Sequence, residues 1–314
     1  MHRIKKLTLL LCMAMCACRR ISTERSELRG TVKISGAWAL YPLVVAWSEQ
    51  FQRQHPSVRI DVSAGGAGKG MADTLAGVVD LGMVSREIAQ EEVSRGARAI
   101  PVAKDAVVCI VNAACPAGQI LLTQGLTRSQ LHAVWLGKEA LSWRMFGATT
   151  DVPVNVYTRS DAAGAPETWA LYLGARQEQL RGTGVYGDPG VVEAVRQDAN
   201  GIGYCNLNFA YDPSSGNPVN GILVIAIDAN ENGCVDAEES LLTRTSAQRA
   251  IALNIYPSPP ARPLYLVAKD RITNPVAAAF VRWALTEGQK LVEPCGYIPL
   301  PDSILTNALL TLSQ

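Results

Sequence analysis

Three segments far apart in the chain each join the end of an apolar run to small residues and the start of a helical pattern: residues 36–42, 65–70 and 159–164. A strand-to-helix turn of this kind presents unpaired backbone N–H groups and about half a unit of positive charge, and glycine or alanine lets an anion approach them closely. The side chains in the same loops do not fit an ordinary oxyanion site. Ala37, Ala39, Ala67, Ala163 and Ala165 stand where hydroxyls would be expected. Surviving candidates for anion contact are the amides of these alanines, with Trp38 as a flat wall, Gly66 and Gly164 as points of close approach, and Arg159 at the head of the third segment. Lys69 adds a charge at the mouth of the glycine loop, which is not a P-loop. Ser63 occupies the first glycine position of that motif and Gly70 the position of its hydroxyl.

A second constellation is a twelve-residue loop over residues 228–239 that fits the EF-hand calcium pattern at every diagnostic place. Asp228, Asn230 and Asn232 supply oxygens at positions one, three and five, Gly233 makes the turn at six, Cys234 offers its carbonyl, and Asp236 and Glu239 occupy nine and twelve. The preceding element is an apolar strand pattern over 221–227, so a lone structural Ca²⁺ loop is expected and not a paired sensor.

No enzymatic constellation stands out. Past the first residues the histidines are His55, in a polar turn before Pro56, and His132, in the 126–137 stretch, and neither lies in a binding-type loop. No nucleophile elbow or paired catalytic carboxylates can be singled out.

The elements that must position these groups alternate from Thr31 onward. Strand patterns fall at 32–35, 58–62 and 80–84, separated by helical patterns in which Leu43, Trp47 and Phe51 share a face and by a short helix over 71–77. The order recurs with a strand at 154–157, helices around 167–173 and 191–197, a strand at 263–268 and a long amphipathic helix over 276–291. This βαβα order predicts an α/β fold of two lobes, each a mostly parallel sheet flanked by helices, with a cleft at the carboxyl ends of the strands. The second lobe is inserted in the first: 31–112 plus 262–314 form lobe I and 113–261 lobe II. A two-lobed cleft closes by hinge motion around a ligand.

With 29 Lys plus Arg against 28 Asp plus Glu, no field of one sign covers the surface, which argues against nucleic acid as a partner. Arg3, Lys5 and Lys6 precede an apolar run over 7–17 that is too short to span a bilayer and reads as an export signal. It ends in Met15-Cys16-Ala17-Cys18, similar to a bacterial lipobox with Cys18 as the lipidated residue and Cys16 as a second candidate. Residues 18–30 then form a polar tether to the membrane. Beyond Cys18 an odd number of cysteines remains (Cys109, Cys115, Cys205, Cys234, Cys295), so at least one is unpaired within the chain.

Read together, Ser35-Gly36-Ala37-Trp38-Ala39-Leu40-Tyr41-Pro42-Leu43, Gly65-Gly66-Ala67-Gly68-Lys69-Gly70, Val79-Asp80-Leu81-Gly82-Met83-Val84-Ser85-Arg86, Arg159-Ser160-Asp161, Tyr256-Pro257, Arg262-Pro263-Leu264-Tyr265 and Gly296-Tyr297-Ile298-Pro299 occur in an order that resembles the substrate-binding proteins of bacterial phosphate ABC importers. The resemblance implies the type II periplasmic binding protein fold, a lipoprotein at the periplasm or cell surface, an ABC permease as partner, and no enzymatic activity. It also implies that Arg159 and Asp161 match an Arg-x-Asp anion pair, that Ser85 and Arg86 match the third segment, and that the hydroxyl ligands of the family fall on Ala39, Ala67, Ala163 and Ala165. A hydrogen bond to a charged group contributes about 1.5–3 kcal/mol. Losing four, discounted for non-additivity, removes about 5 kcal/mol against roughly 8 kcal/mol for micromolar binding. Three functions follow: phosphate or a related oxyanion held by amides and Arg159, a different or larger anion in the same cleft, or a surface module that has kept only the fold.

Overall fold

The structure is a computed structural model that describes residues 27–312. The export signal, Cys18 and the start of the tether lie outside those residues. The chain opens with β1 (Gly30–Gly36), α1 (Tyr41–Gln54), β2 (Val58–Ala64), α2 (Ala67–Leu75), β3 (Leu81–Val84) and α3 (Gln90–Ser94), and then runs into the long β4 (Ala97–Asn112). α4 (Gly118–Gln124), α5 (Arg128–Leu136), β5 (Asn155–Arg159), α6 (Gly164–Tyr172), β6 (Thr183–Val185), α7 (Gly187–Gln197), β7 (Gly201–Asn206), α8 (Leu207–Ala210), β8 (Ile222–Ile225) and α9 (Arg244–Ala252) follow. The chain returns through β9 (Ala261–Lys269), α10 (Pro275–Ala284) and α11 (Asp302–Leu312).

Nine strands run in the order β2-β1-β3-β9-β4-β7-β5-β6, with β8 paired to β4. The parallel order implied by βαβα holds for β2-β1-β3 and for β6-β5-β7. The crossing strands β4 and β9 join both groups antiparallel. Each half of β4 belongs to a different core. One apolar cluster takes residues of 32–103 and 264–308, and the other takes residues of 106–261 together with Ile298, so along β4 the changeover falls between Ala103 and Ala106. The reason is the run Val107-Val108-Cys109-Ile110-Val111, buried throughout, which pairs with β7 and β8, whereas the pairing with β9 ends at Ala106.

α1 forms because Leu43, Trp47 and Phe51 stack one face into the first core and Pro42 is tolerated in its first turn. The long helix expected over 276–291 stops at Ala284 and resumes as a 3₁₀ turn, Glu287–Leu291. Breaking the ladder frees the Gly288 carbonyl to accept the Trp47 indole N–H at 2.7 Å, and a Cβ at Gly288 would meet the rings of Trp47 and Trp283 at 3.0–3.1 Å. The helix expected over 71–77 begins instead at Ala67, so the glycine loop is itself the first turn of α2.

Gly70 is a packing glycine. A Cβ there would lie 2.6 Å from the Met83 carbonyl, 2.8 Å from the Gly36 Cα and 2.9 Å from the Ser35 carbonyl, all backbone atoms that cannot step aside. This approach seats α2 on β1 and β3. Gly70→Ala is expected to lower stability by about 1–3 kcal/mol, read as a lower urea midpoint at unchanged m-value; an unaltered midpoint contradicts the packing role.

Candidate ligand-binding cleft

The three loops singled out by sequence come together where the two cores meet. α1, α2 and α6 begin there, and their N-cap residues Leu40, Gly66 and Ala163 give no side-chain cap. Among the described residues the backbone N–H groups of Trp38, Ala39, Ala67, Gly164 and Ala165 have no acceptor, although Ala39, Ala67 and Ala165 are buried. Buried unpaired amides are rare in folded proteins, and their concentration at three helix starts gathers positive partial charge on one surface.

The loops also touch across the divide. The Gly68 amide donates to the Ala162 carbonyl at 3.3 Å, and a Cβ on Gly66 would meet that carbonyl at 2.7 Å. Gly164 packs against the backbone and hydroxyl of Ser85, so closely that a Cβ would overlap both. Arg86 is held by Glu92 of its own side through two bonds of 2.6 and 2.8 Å and reaches Glu167 opposite at 3.1 Å. Trp38 plugs the gap: it packs on Gly187 and meets Tyr41, Tyr186 and Phe209 with ring centroids 6.2–6.3 Å away. Ala37 is buried beside it, its amide given to the Met83 carbonyl and so closed to a ligand. Ala163 likewise gives its N–H to the Gln177 side chain, at 3.4 Å. Lys69 is spent locally on Asp73 one helical turn away.

Arg159 is not free. Its Nε and Nη2 donate to the two oxygens of Asp161 at 2.7 and 2.5 Å, and its Nη1 donates to Asp188 at 2.7 Å. Burial works against its charge, but the two carboxylates overcome that and hold its pKa above the ordinary arginine value. Burial also pushes the Asp161 carboxyl up, and the Arg159 contacts reverse this and leave it below the ordinary range.

Asp188, fully buried in the first turn of α7, accepts in addition the backbone and side-chain N–H groups of Asn206, each at 2.8 Å. Asn206 in turn accepts from Nη2 of Arg262, whose Nε donates to the Ser85 carbonyl at 3.2 Å. Arg262 faces Asp105 in register across β9 and β4, but the closest approach is 3.7 Å, and both Asp105 oxygens and Arg262 Nη1 lack a hydrogen bond. At that distance burial outweighs attraction for both groups: it raises the Asp105 carboxyl to about 7 and lowers the Arg262 guanidinium.

Asp188, Asn206, Asp105 and Arg262 are absent from the set picked by sequence. A signal was present for two of them, since an aspartate in the apolar 102–111 run and an arginine entering an apolar strand each imply a buried partner.

A family model described as PBP superfamily domain matches residues 22–287. The chain belongs to this superfamily. SphX of Synechococcus elongatus is 25% identical to this PBP domain over 298 residues, covering 91% of the chain and 82% of the relative. The phosphate-binding protein PstS of Pseudomonas aeruginosa is 26% identical over 317 residues, covering 91% and 88%. An ABC-type phosphate transport receptor from Vibrio cholerae superposes with a TM-score of 0.62 at 20% identity, over 86% of this chain and all of that one. The PBP domain thus has the two-lobed type II binding-protein architecture.

The remaining sequence-predicted groups lie elsewhere. Asp228 and Glu239 are buried at the ends of their loop; Asp228 accepts the amides of Asn232 and Gly233 at 3.1 and 2.9 Å, and Glu239 those of Ala229 and Asp236 at 3.1 and 3.2 Å. Asn230 and Asn232 donate to Asp236, and Cys234 is exposed beside it. No group of three or more His, Cys, Asp or Glu is placed to hold a metal among the described residues. Cys109, Cys115, Cys205, Cys234 and Cys295 are all unpaired.

Asp105 makes the stability of the PBP domain depend on pH. Its folded pKa is raised above the ordinary carboxyl value of 3.8, so the stability it contributes is complete below about pH 4 and is lost as pH rises through about 7. Asp161 acts in the opposite sense, and only at lower pH. Urea unfolding of the native chain should therefore weaken between pH 5 and pH 8, whereas Asp105→Asn should flatten that slope; equal slopes would place Asp105 outside the titration.

Proposed function

We propose that this protein is the extracytoplasmic substrate-binding component of an ABC importer and takes phosphate or a related oxyanion between its lobes. The observation that carries the reading is the set of unpaired amides at three uncapped helix starts, in a chain whose relatives include named phosphate-binding proteins across most of their length. Backbone donors of Ala39, Ala67, Gly164 and Ala165 hold the anion, and Arg159, locked between Asp161 and Asp188, contributes its charge from behind them. The reading is one of binding and release without turnover. The export signal and Cys18 support attachment to the membrane as a lipoprotein, with an integral permease as partner; among the described residues no helix is long and apolar enough to cross a membrane.

A second reading has one observation in its favour. A cavity of about 410 Å³ opens at the margin of the cleft, lined by Gly68 and Arg86 on one side and Ala162, Ala163 and Glu167 on the other. It adjoins the anion loops and suits an anion with a small organic body. Calorimetry with phosphate, sulfate and a panel of phosphonates and phosphomonoesters separates the two, and silence across the panel removes both. Where phosphate binds, Ala67→Ser returns a hydroxyl to the second loop and should tighten binding by about tenfold or more, the equivalent of about 1.5 kcal/mol.

The loop over 228–239 is proposed to take one structural Ca²⁺. Its twelve-position pattern supports this, as do two buried carboxylates, Asp228 and Glu239, that form no ion pair among the described residues. Millimolar calcium should raise the melting temperature by a few degrees, and Glu239→Gln should abolish the shift; a melting temperature indifferent to calcium and to EGTA rules the site out.

A further inference from the structure

Trp38 stands in the first loop, between the end of β1 and the start of α1, yet its ring reaches into the other half of the molecule. It meets Tyr186 and Phe209 edge-on, with centroids 6.2 and 6.3 Å away and interplanar angles of 84° and 76°. Phe209 packs on the second core, and Tyr186 immediately precedes α7 of the same half. From its own side Tyr41 joins, tilted at 6.2 Å and packed on the first core. At these spacings and angles the positive edge of one ring attracts the face of another.

The seat is shaped for the indole. Gly187 opens α7 with a φ of +72°, and a Cβ there would lie 3.2–3.3 Å from Cε2 and Cζ2 of Trp38. A side chain at this position would be strained and would also push the indole out. Nε1 of Trp38 is buried and has no hydrogen-bond partner, so the ring is held by its faces and edges and not by its N–H. The other contacts across the divide differ in kind. They are the Gly68 amide on the Ala162 carbonyl, the packing of Gly164 on Ser85, and the Arg86–Glu167 ion pair, whose carboxylate is 52% exposed and weakened by solvent. Trp38 adds apolar contact, which salt does not screen.

We propose that Trp38 is an aromatic latch that holds the two halves together with no ligand between them. Closure of a two-lobed molecule is an equilibrium, and two edge-to-face pairs together with the contact on Gly187 shift it toward the closed form by about tenfold. The latch also fixes the first anion loop. Trp38 is flanked by Ala37, whose amide is given to the Met83 carbonyl, and by Ala39, whose amide is open. Trp38 is therefore a positioning residue: it sets how far the amides of the first loop stand from those that open α6.

The test is small-angle scattering and amide hydrogen exchange on the full chain, with no anion present, for the native protein and Trp38→Ala. The variant should have the larger radius of gyration. Its exchange should speed up by about tenfold in residues 64–68 and 162–165, on both sides of the divide, while β1 and β7 keep their native protection. A side chain that only braced its own loop would not alter 162–165. Trp38→Phe keeps a ring on Gly187 and should restore most of the protection. Tyr186→Ala, at a residue 59% exposed in the second half, should move both readouts in the same direction, and it tests the latch even if Trp38→Ala does not fold. Resting on the anion reading of the cleft, Trp38→Ala should also bind inorganic phosphate about tenfold more weakly, because the ligand must then supply the closure. Equal radii and equal exchange in the native protein and the folded variants, or faster exchange confined to residues 36–42, overturn the latch. A native protein that binds no phosphate removes the anion reading, and the latch is still decided by the scattering and exchange measured without ligand.

Discussion

The carboxylate of Asp188 is the contact on which the cleft floor depends. It is fully buried, and it is shared by Arg159 at the end of β5 and by both N–H groups of Asn206 at the end of β7. A buried guanidinium is stable only when desolvation is offset by close, well-directed bonds, and removing one partner of such a pair typically costs about 3–5 kcal/mol. Asp188 meets that need for Arg159 directly. It also orients Asn206, whose side-chain oxygen then serves Arg262. One aspartate thus sets the positions of two cations that belong to different strands, and the network leaves neither free to turn.

Rigidity of that kind changes how the alanines in the loops are understood. A hydroxyl can rotate and can either donate or accept, whereas a backbone N–H only donates and points where the fold directs it. The amides of Ala39, Ala67, Gly164 and Ala165 are aimed by three helix starts, and those starts are fixed by backbone packing: Gly70 against Gly36 and Met83, Gly164 against Ser85. In the proposed anion site, donors fixed in this way would need little reordering on binding, which would offset part of the loss of the hydroxyls. The small side chains are then consistent with the close contact of the lobes, since Gly66, Gly68 and Ala162 meet with no room for larger groups.

Much of this is legible in the sequence where the information is local. The three strand–loop–helix units follow from periodicity and small residues, and all three form. Lys69, read from the sequence as a charge at the mouth of the glycine loop, is instead spent on Asp73 four residues on, one turn along its own helix. The α10 break is not legible, because its cause is Trp47, 241 residues away in sequence, reaching for the Gly288 carbonyl. The same holds for Asp188 and Asn206, whose roles exist only once β5, β7 and α7 converge. Asp105 and Arg262 stand between these cases: a charge inside an apolar strand announces that a partner exists, but only the β4–β9 register names it. Arg159 and Asp161 pair as their spacing in the sequence suggests; the second aspartate on Arg159 is a three-dimensional fact.

The location of the Asp105–Arg262 pair joins the charge argument to the mechanics of the fold. β4 and β9 are the two strands that pass from one core to the other, and this pair sits beside the changeover between Ala103 and Ala106. The two anchors of Arg262 come from opposite sides of that line: Ser85 follows β3 in the first sheet, and Asn206 ends β7 in the second. Both can be engaged only while the lobes are close. Separation about β4 and β9 would draw one anchor away from the guanidinium. The orientation of the Arg262 guanidinium is therefore tied to the contact between the two halves, and the strands that cross from one core to the other carry the buried charges nearest that contact.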